Sequence, residues 1–223
     1  MISIIMLTHN APKYVKITLE TLKSKTKNVE YELIVWDNNS DKKTKRILMN
    51  YYNKKQIMDR LVFSNQNLLF SKGNNNAFKL CNSKTDYVLL LNSDIEIRNE
   101  NWLNYLLELC QKKKIGAVSY GVCENNPITR ADGFCLLIKK GLYEKYLLDE
   151  DYEWWWSVTR LQANILKEGY KIIAIKDYED MIYHFGGKSG TDFKGATGMD
   201  VTTTEVVKWF VKGKVTVLSR ENK

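Results

Sequence analysis

Proline is scarce in this chain. Only Pro12 and Pro127 occur among 223 residues, so no proline-rich linker marks a domain boundary. Histidine is scarcer still in chemical reach: His9 and His184 lie far apart in sequence. The four cysteines, Cys81, Cys110, Cys123 and Cys135, show no C-x-x-C spacing. These absences exclude a zinc ribbon and a disulfide scaffold, and the thiols read as small core residues in a reducing compartment. No apolar stretch approaches the roughly 18 residues of a membrane span. The apolar run Ile2 to Leu7 is too short for a secretion signal and has no basic region before it. A soluble, cytoplasmic protein is the expectation. No internal repeat or low-complexity segment is found.

What is present is ordinary globular material. Apolar residues make up 44% and charged residues 27% of the chain, close to the usual averages. A chain of this size can bury roughly 70% of its unfolded surface without a structural metal. Lysine and arginine number 34 against 26 acidic residues, a net charge of +8. That surplus suits an anionic partner such as a nucleotide, a nucleic acid or a phosphate surface, and equally describes a lysine-rich solvated surface. The lysines are dispersed, with Lys112-Lys113-Lys114 and Lys54-Lys55 the tightest clusters. Without a basic stripe, a recognition-helix pattern or an aromatic sheet motif, nucleic acid is not an expected partner.

Hydrophobic periodicity alternates between strand and helix through the first half. Ile2 to Leu7, Tyr31 to Trp36, Leu61 to Phe63, Tyr87 to Leu91 and Ala117 to Ser119 read as strands. Val15, Leu19 and Leu22 recur at i, i+4, i+7, with Pro12 near the start of their helix, where proline is tolerated. Ser40 or Asp41 can cap a helix reaching about Tyr52. The polar segment 65–76 reads as a flexible loop, with a helix from its end to about Cys81. Trp102, Leu106 and Leu109 mark another helix. Later come a strand at Gly133 to Ile138, a short helix to about Tyr146, a helix from Ser157 to Glu168 closed by Gly169, and a strand at Lys171 to Ile175.

Such alternation predicts right-handed βαβ units and a mostly parallel sheet, whose ligands bind at the carboxyl ends of the strands. Thr8-His9-Asn10, Asp37-Asn38-Asn39 and Asn92-Ser93-Asp94 all fall at such ends, so they should converge on one edge. Asp94, following a buried strand directly, suits a hard divalent cation, or a turn cap. Asp37 can accept from the ring N–H of a pyrimidine base, or close an Asx-turn. Asn67 to Asn76 supply a glycine and four asparagines for phosphate or nucleoside contact, or simply a capped polar loop. Trp154-Trp155-Trp156 point in different directions if helical; at least one can serve as a platform for a sugar, or all can pack. Asp132, just before a strand, can orient donor or acceptor hydroxyls.

The combination resembles the family 2 glycosyltransferases of GT-A fold. Ile2-Ser3-Ile4-Ile5 with Thr8 and Asn10 comes first, then Val35-Trp36-Asp37-Asn38-Asn39-Ser40. Next come Asn65, Asn67, Phe70 and Gly73-Asn74-Asn75, then Leu89-Leu90-Leu91-Asn92-Ser93-Asp94. Gly133 to Lys140, Asp149-Glu150-Asp151-Tyr152, Gly169-Tyr170-Lys171-Ile172 and His184-Phe185-Gly186-Gly187-Lys188-Ser189 follow in the family's order. The likeness runs from Ile2 to about Ser189. It is nearest to the bacterial, rhamnosyltransferase-like branch of surface polysaccharide assembly.

The resemblance implies an α/β, GT-A fold with a mostly parallel, Rossmann-like central sheet flanked by helices. The fold would carry a smaller acceptor-side C-terminal part. The chain would be one domain over 1–223, with a nucleotide-sugar half (1–95) and an acceptor half (96–223). Thr8, Asn10 and Asp37 would line the nucleoside pocket, and Asn67, Gly73 and Asn75 would border the donor. Asn92-Ser93-Asp94 stands where the family has D-x-D, so Asp94, with His184, would hold Mn²⁺ or Mg²⁺ on the diphosphate; Asn92 removes one negative charge. Lys188 would close over the diphosphate.

The reaction implied is transfer, with inversion, from a UDP- or dTDP-linked sugar to a glycan or lipid-linked saccharide hydroxyl, which leaves peripheral membrane association open. The family's E-D-x-D stretch falls on Ser157-Val158-Thr159-Arg160, which holds no carboxylate. The base would then be Glu153 or Asp151, Glu153 preferred because it adjoins the tryptophans. A catalytically weak, nucleotide-sugar-binding relative is the alternative.

Overall fold

The computed structural model describes residues 1–125, 127–188 and 195–220. Strand β1 (Ile2–Thr8) leads into helix α1 (Pro12–Lys25), then β2 (Tyr31–Asp37), α2 (Lys42–Asn53) and β3 (Arg60–Phe63). Helix α3 (Leu69–Phe78) precedes β4 (Tyr87–Asn92), the short β5 (Ile95–Ile97), α4 (Trp102–Gln111) and β6 (Ile115–Tyr120). A small ribbon, β7 (Val122–Cys123) and β8 (Arg130–Ala131), comes before β9 (Cys135–Lys139), α5 (Lys140–Tyr146), α6 (Trp155–Lys167) and β10 (Lys171–Lys176). The described chain closes with β11 (Ile182–His184), α7 (Thr203–Trp209) and β12 (Thr216–Ser219).

Eight strands form one sheet in the order β12-β10-β6-β9-β4-β1-β2-β3. All neighbours run parallel except β9, which lies antiparallel between β4 and β6. The fold is therefore α/β with a mostly parallel central sheet flanked by helices. Its inner strands are near-continuous apolar runs because both faces are covered. Alternation along β1 sends Ile4 and Met6 into one core, with Trp102 and Tyr120, and Ile5 into the other, with Tyr143 and Leu161.

Local signals explain most elements. Pro12 opens α1, whose buried positions include Val15, Leu19 and Leu22. Asp41 caps α2, accepting from the Thr44 N–H at 2.7 Å. Gly169, at φ +82°, ends α6 in the left-handed region that favours glycine.

One element departs from the expectation. Helix α3 begins at Leu69 and ends at Phe78, so the stretch expected as a loop is helical. Asparagine competes with helix through local hydrogen bonds, but here those groups are used inside the packing. Asn74 donates to the Phe70 carbonyl at 2.9 Å, one turn back, and Asn75 reaches the loop after α5. Tertiary burial overrides a weak intrinsic preference.

Candidate active site

The register of the sheet builds the site. Thr8 lies opposite Asp37 on β2, and Leu7 opposite Asn92 on β4. Their carboxyl ends meet beneath a cavity of about 350 Å³, walled by the β1 end, the start of α3, Asn92-Ser93-Asp94, Trp154-Trp155 and His184.

Thr8 is on the wall, and its hydroxyl donates to Asp37 Oδ1 at 2.9 Å. Asp37 Oδ2 accepts from the Ser40 N–H at 3.1 Å. With both oxygens engaged and no exposed surface, Asp37 sits below the wall and shapes the turn into α2. In this geometry its carboxylate is turned to Thr8 and Ser40 rather than to the cavity. Asn10 is likewise off the wall: its Oδ1 accepts from the Asp41 N–H and its own N–H donates to Ser40 Oγ, both at 2.8 Å. It staples the β1–α1 turn to the β2–α2 turn. Asn10 and Ala11 both have left-handed φ, which turns the chain sharply and leaves Ala11 facing the cavity.

Asp94 and His184 are brought together by a second, small sheet. Antiparallel pairing of β11 with β5 sets His184 opposite Ile95, and the Phe185 N–H donates to the Asp94 carbonyl at 3.0 Å. His184 Nε2 then lies 3.2 Å from Asp94 Oδ1. That nitrogen is buried and makes no hydrogen bond in this geometry. Its ring is held in place by Phe134, stacked at 4.2 Å between centroids and 23° between planes.

A buried ring nitrogen facing a carboxylate across 3.2 Å can pair with it directly, as a His–Asp ion pair does, or share a cation with it. Imidazole and carboxylate together suit Mn²⁺, and a carboxylate suits Mg²⁺. Among the described residues no third His, Cys, Asp or Glu joins them, so ligand oxygens and water would complete the shell. Asn92 and Ser93 also line the cavity.

The asparagine segment divides. Asn67 is on the wall, its Oδ1 fixed by the Leu69 N–H at 3.0 Å. Gly73 is inside α3 and off the cavity wall. A Cβ there would meet Leu7 Cδ1 at 3.1 Å and Asn38 Nδ2 at 3.2 Å, so its role is to let α3 close on β1. Asn75 points away from the cavity. Its Nδ2 donates to the Leu148 carbonyl at 2.8 Å and to Glu150 at 3.0 Å, and its Oδ1 accepts from the Leu148 N–H and the Tyr143 hydroxyl. Lys188 is also off the wall, its Nζ 5.6 Å over the Tyr14 ring; Ser189 lies outside the described residues.

Neither expected base reaches the cavity. Glu153 Oε2 accepts from the Thr197 N–H at 2.8 Å, and Oε1 pairs with Lys72 Nζ at 3.3 Å. The Thr197 N–H, and beyond it Lys72, hold its carboxyl below the usual carboxylate range against the opposing effect of burial. A carboxylate so occupied is a poor proton acceptor. Asp151 is exposed in the preceding turn. Of the three tryptophans, Trp154 and Trp155 line the cavity, whereas Trp156 donates from Nε1 to the Met199 carbonyl at 3.2 Å.

A second chamber of about 180 Å³ adjoins the first, sharing Phe70, Asn92, Trp154, Trp155 and His184. Arg130, Asp132 and Thr159 add its polar wall.

The sequence matches Glycosyl transferase family 2 over residues 3–174, well over half the chain. The chain belongs to Glycosyl transferase family 2. Curated proteins offer no significant match by sequence. Solved structures share the fold at low identity. A mannosyltransferase from Pyrobaculum calidifontis, solved with GDP-Man and Mn²⁺, is 17% identical, with a TM-score of 0.67 over 79% of this chain and 55% of its own. S. aureus TarS 1–349 is 16% identical, with a TM-score of 0.65 over 95% of this chain and 69% of its own. GalNAc-T7, solved with UDP, GalNAc and Mn²⁺, is 12% identical, with a TM-score of 0.64 over 77% of this chain and 41% of its own. This family 2 chain thus spans about half the length of the mannosyltransferase it matches.

The cavity is also lined by residues to which motif reading gave no role. Asn38, neighbour of Asp37, is the wall residue at the end of β2, its Nδ2 donating to the Leu69 carbonyl at 2.9 Å. His9 lines the cavity with Nδ1 2.7 Å from the Asn38 carbonyl. Both belong to polar clusters visible in the sequence; only their facing was hidden. Leu69 and Phe70 also line it; Phe70 stands in the motif that begins at Asn65, whereas nothing in the apolar character of Leu69 marks it.

Proposed function

We propose that this chain is a metal-dependent glycosyltransferase that moves a sugar from a nucleoside diphosphate to a saccharide hydroxyl, with inversion. The observation that carries the reading is the pairing of Asp94 with the unbonded His184 Nε2 at the carboxyl ends of β1 and β4. In this reading Leu7, Thr8, His9, Ala11 and Asn38 cup the nucleoside, and Asn67 and Ser93 border the ribose and diphosphate. Asp94 and His184 hold Mn²⁺ or Mg²⁺. Such an ion, when bound, offsets charge building on the leaving diphosphate.

Trp154 and Trp155 stand between the two chambers, where an aromatic face suits the C–H surface of a sugar ring. Trp155 is 45% exposed, unusually open for so large an apolar group, which supports an acceptor platform there. The mannosyltransferase and GalNAc-T7, whose structures contain Mn²⁺, support the metal. A UDP or dTDP donor and the rhamnosyltransferase-like branch rest on the motif resemblance alone, since Asp37 is buried. A lipid-linked acceptor would bring the protein to a membrane surface; among the described residues no helix is long and apolar enough to cross one. The division into a donor half (1–95) and an acceptor half (96–223) belongs to the same proposal.

The test is a donor screen: UDP, dTDP and GDP sugars are incubated with Mn²⁺, and free nucleotide is measured with and without saccharide acceptors. Acceptor-stimulated release supports the reading, and the configuration of the product tests inversion. Absence of both binding and release across the panel would remove it. A second reading, a binding protein with little turnover, is favoured by one observation. Ser157-Val158-Thr159-Arg160 carries no carboxylate, and Glu153 is bound to Thr197 and Lys72.

A further inference from the structure

We infer that Asp132 is the general base of this site, an inference that rests on the glycosyl-transfer reading above. Among the described residues lining the two joined chambers, the carboxylates are Asp94 and Asp132. Asp94 faces His184 and is taken up by the metal role. His9 is engaged at both ring nitrogens, Nδ1 with the Asn38 carbonyl at 2.7 Å and Nε2 with Asn10 at 3.2 Å. Glu153 and Asp151 are on neither wall. Asp132 is the carboxylate left on the wall of the outer chamber, which Trp155, the candidate platform for an acceptor sugar, also lines.

The protein fixes Asp132 from several sides. Its N–H donates to the Gly121 carbonyl at 3.0 Å, and its own carbonyl accepts from the Ser119 hydroxyl at 2.6 Å. Oδ1 accepts from the Gly133 N–H at 2.7 Å. Oδ2 has the Cys123 thiol, a weak donor, 3.8 Å away, which leaves that oxygen lone pairs for a stronger one. Gly121, at φ +94°, makes the room: a Cβ there would lie 2.6 Å from Phe134 Cε1 and 3.0 Å from Asp132 Cβ. Phe134 in turn stacks on His184. Phe134 thus packs against both the Gly121 turn, to which the Asp132 N–H is bonded, and His184.

The step is balanced as follows. The acceptor hydroxyl gives its proton to Asp132 Oδ2 as its oxygen bonds to the anomeric carbon. The bond from that carbon to the diphosphate oxygen breaks, and its electron pair leaves with the nucleoside diphosphate. No oxidant or further reactant is needed.

Asp132→Asn keeps an Oδ1 acceptor for the Gly133 N–H and removes the basic oxygen. Wild type, Asp132→Asn, Glu153→Gln and Asp151→Asn are compared for UDP affinity with Mn²⁺ by calorimetry. Sugar release is followed from UDP-GlcNAc, UDP-glucose, dTDP-rhamnose and GDP-mannose, with alkyl glycosides as acceptors. Loss of a general base predicts a kcat at least about 100-fold lower for Asp132→Asn, with nucleotide affinity kept within about twofold, because the loss is confined to the transition state. Glu153→Gln and Asp151→Asn should keep turnover in the folded protein. Asp132→Ser serves if the Asn variant fails to fold. Full turnover in either Asp132 variant, or abolished turnover in folded Glu153→Gln, would overturn the assignment. So would a wild type that binds UDP with Mn²⁺ yet releases no sugar. A wild type that binds no nucleotide fails earlier, at the donor site itself, and takes this inference with it.

Discussion

At the scale of single residues, the site separates carboxylates by what already occupies them. Asp94 meets an unbonded imidazole nitrogen, whereas Asp37 and Glu153 have both oxygens engaged. Removing the Asp94 contact should cost about 1.5–3 kcal/mol of charge-assisted binding, or about 10–100-fold in metal-dependent UDP affinity. Calorimetry on Asp94→Ala with and without Mn²⁺ reads this directly. Glu153 makes the opposite prediction. Its folded pKa is lowered, so its contribution is present above the unfolded value near 4.3 and is lost as the pH falls through the lower folded value. Glu153→Gln should therefore destabilise the protein by about 1 kcal/mol at neutral pH. The gap to wild type should close in urea titrations at increasingly acidic pH. A gap unchanged down to the acid limit would contradict the Thr197 and Lys72 contacts. Residue type pointed to Asp94 and His184 from the sequence, because a carboxylate at a strand end and a rare histidine carry chemical meaning by themselves. Which way Asp37 and Asn38 face was not legible: it depends on a turn geometry that one residue of register reverses.

At the scale of elements, strands were the legible part. Tyr87–Asn92 and Ile2–Thr8 are apolar runs whose character is fixed by burial on both faces. Helix α3 was not legible, since its amides bond within the packing, Asn74 one turn back and Asn75 to partners about 70 residues away in sequence. Asn75 is the clearest case, bonding Leu148, Glu150 and Tyr143 at once. Asn75→Ala would strand the buried Leu148 N–H and carbonyl and should cost about 2–4 kcal/mol. In the protein that remains folded, UDP affinity should match wild type. Weakened nucleotide binding without loss of stability would return Asn75 to the donor site. Strand β9 was legible at Gly133 to Ile138, but its antiparallel direction was not, since periodicity reports burial and not direction.

At the scale of the whole molecule, one mostly parallel sheet collects the polar ends of β1, β2 and β4 on a single edge. Two small additions turn that edge into a site: the β5–β11 pair delivers His184 to Asp94, and the β7–β8 ribbon leads into Asp132 and Phe134. Short two-stranded additions leave little periodic signal, which is why the sequence showed the edge more clearly than its closure. The net charge of +8 is consistent with a diphosphate ligand, and its dispersion keeps the charge from identifying the site.

The most direct test of the account is thermal unfolding of wild type and Asp94→Ala with UDP, dTDP and GDP, each with and without Mn²⁺. Ligand at about 100 times its Kd adds about 2.7 kcal/mol to stability, which for a chain of this length raises Tm by several degrees. The account predicts that at least one nucleotide raises the wild-type Tm only with Mn²⁺, and that Asp94→Ala, by weakening that affinity about 10–100-fold, cuts the shift to about half or less without lowering the unliganded Tm. A nucleotide shift of equal size without metal, or one that Asp94→Ala leaves undiminished, would contradict it.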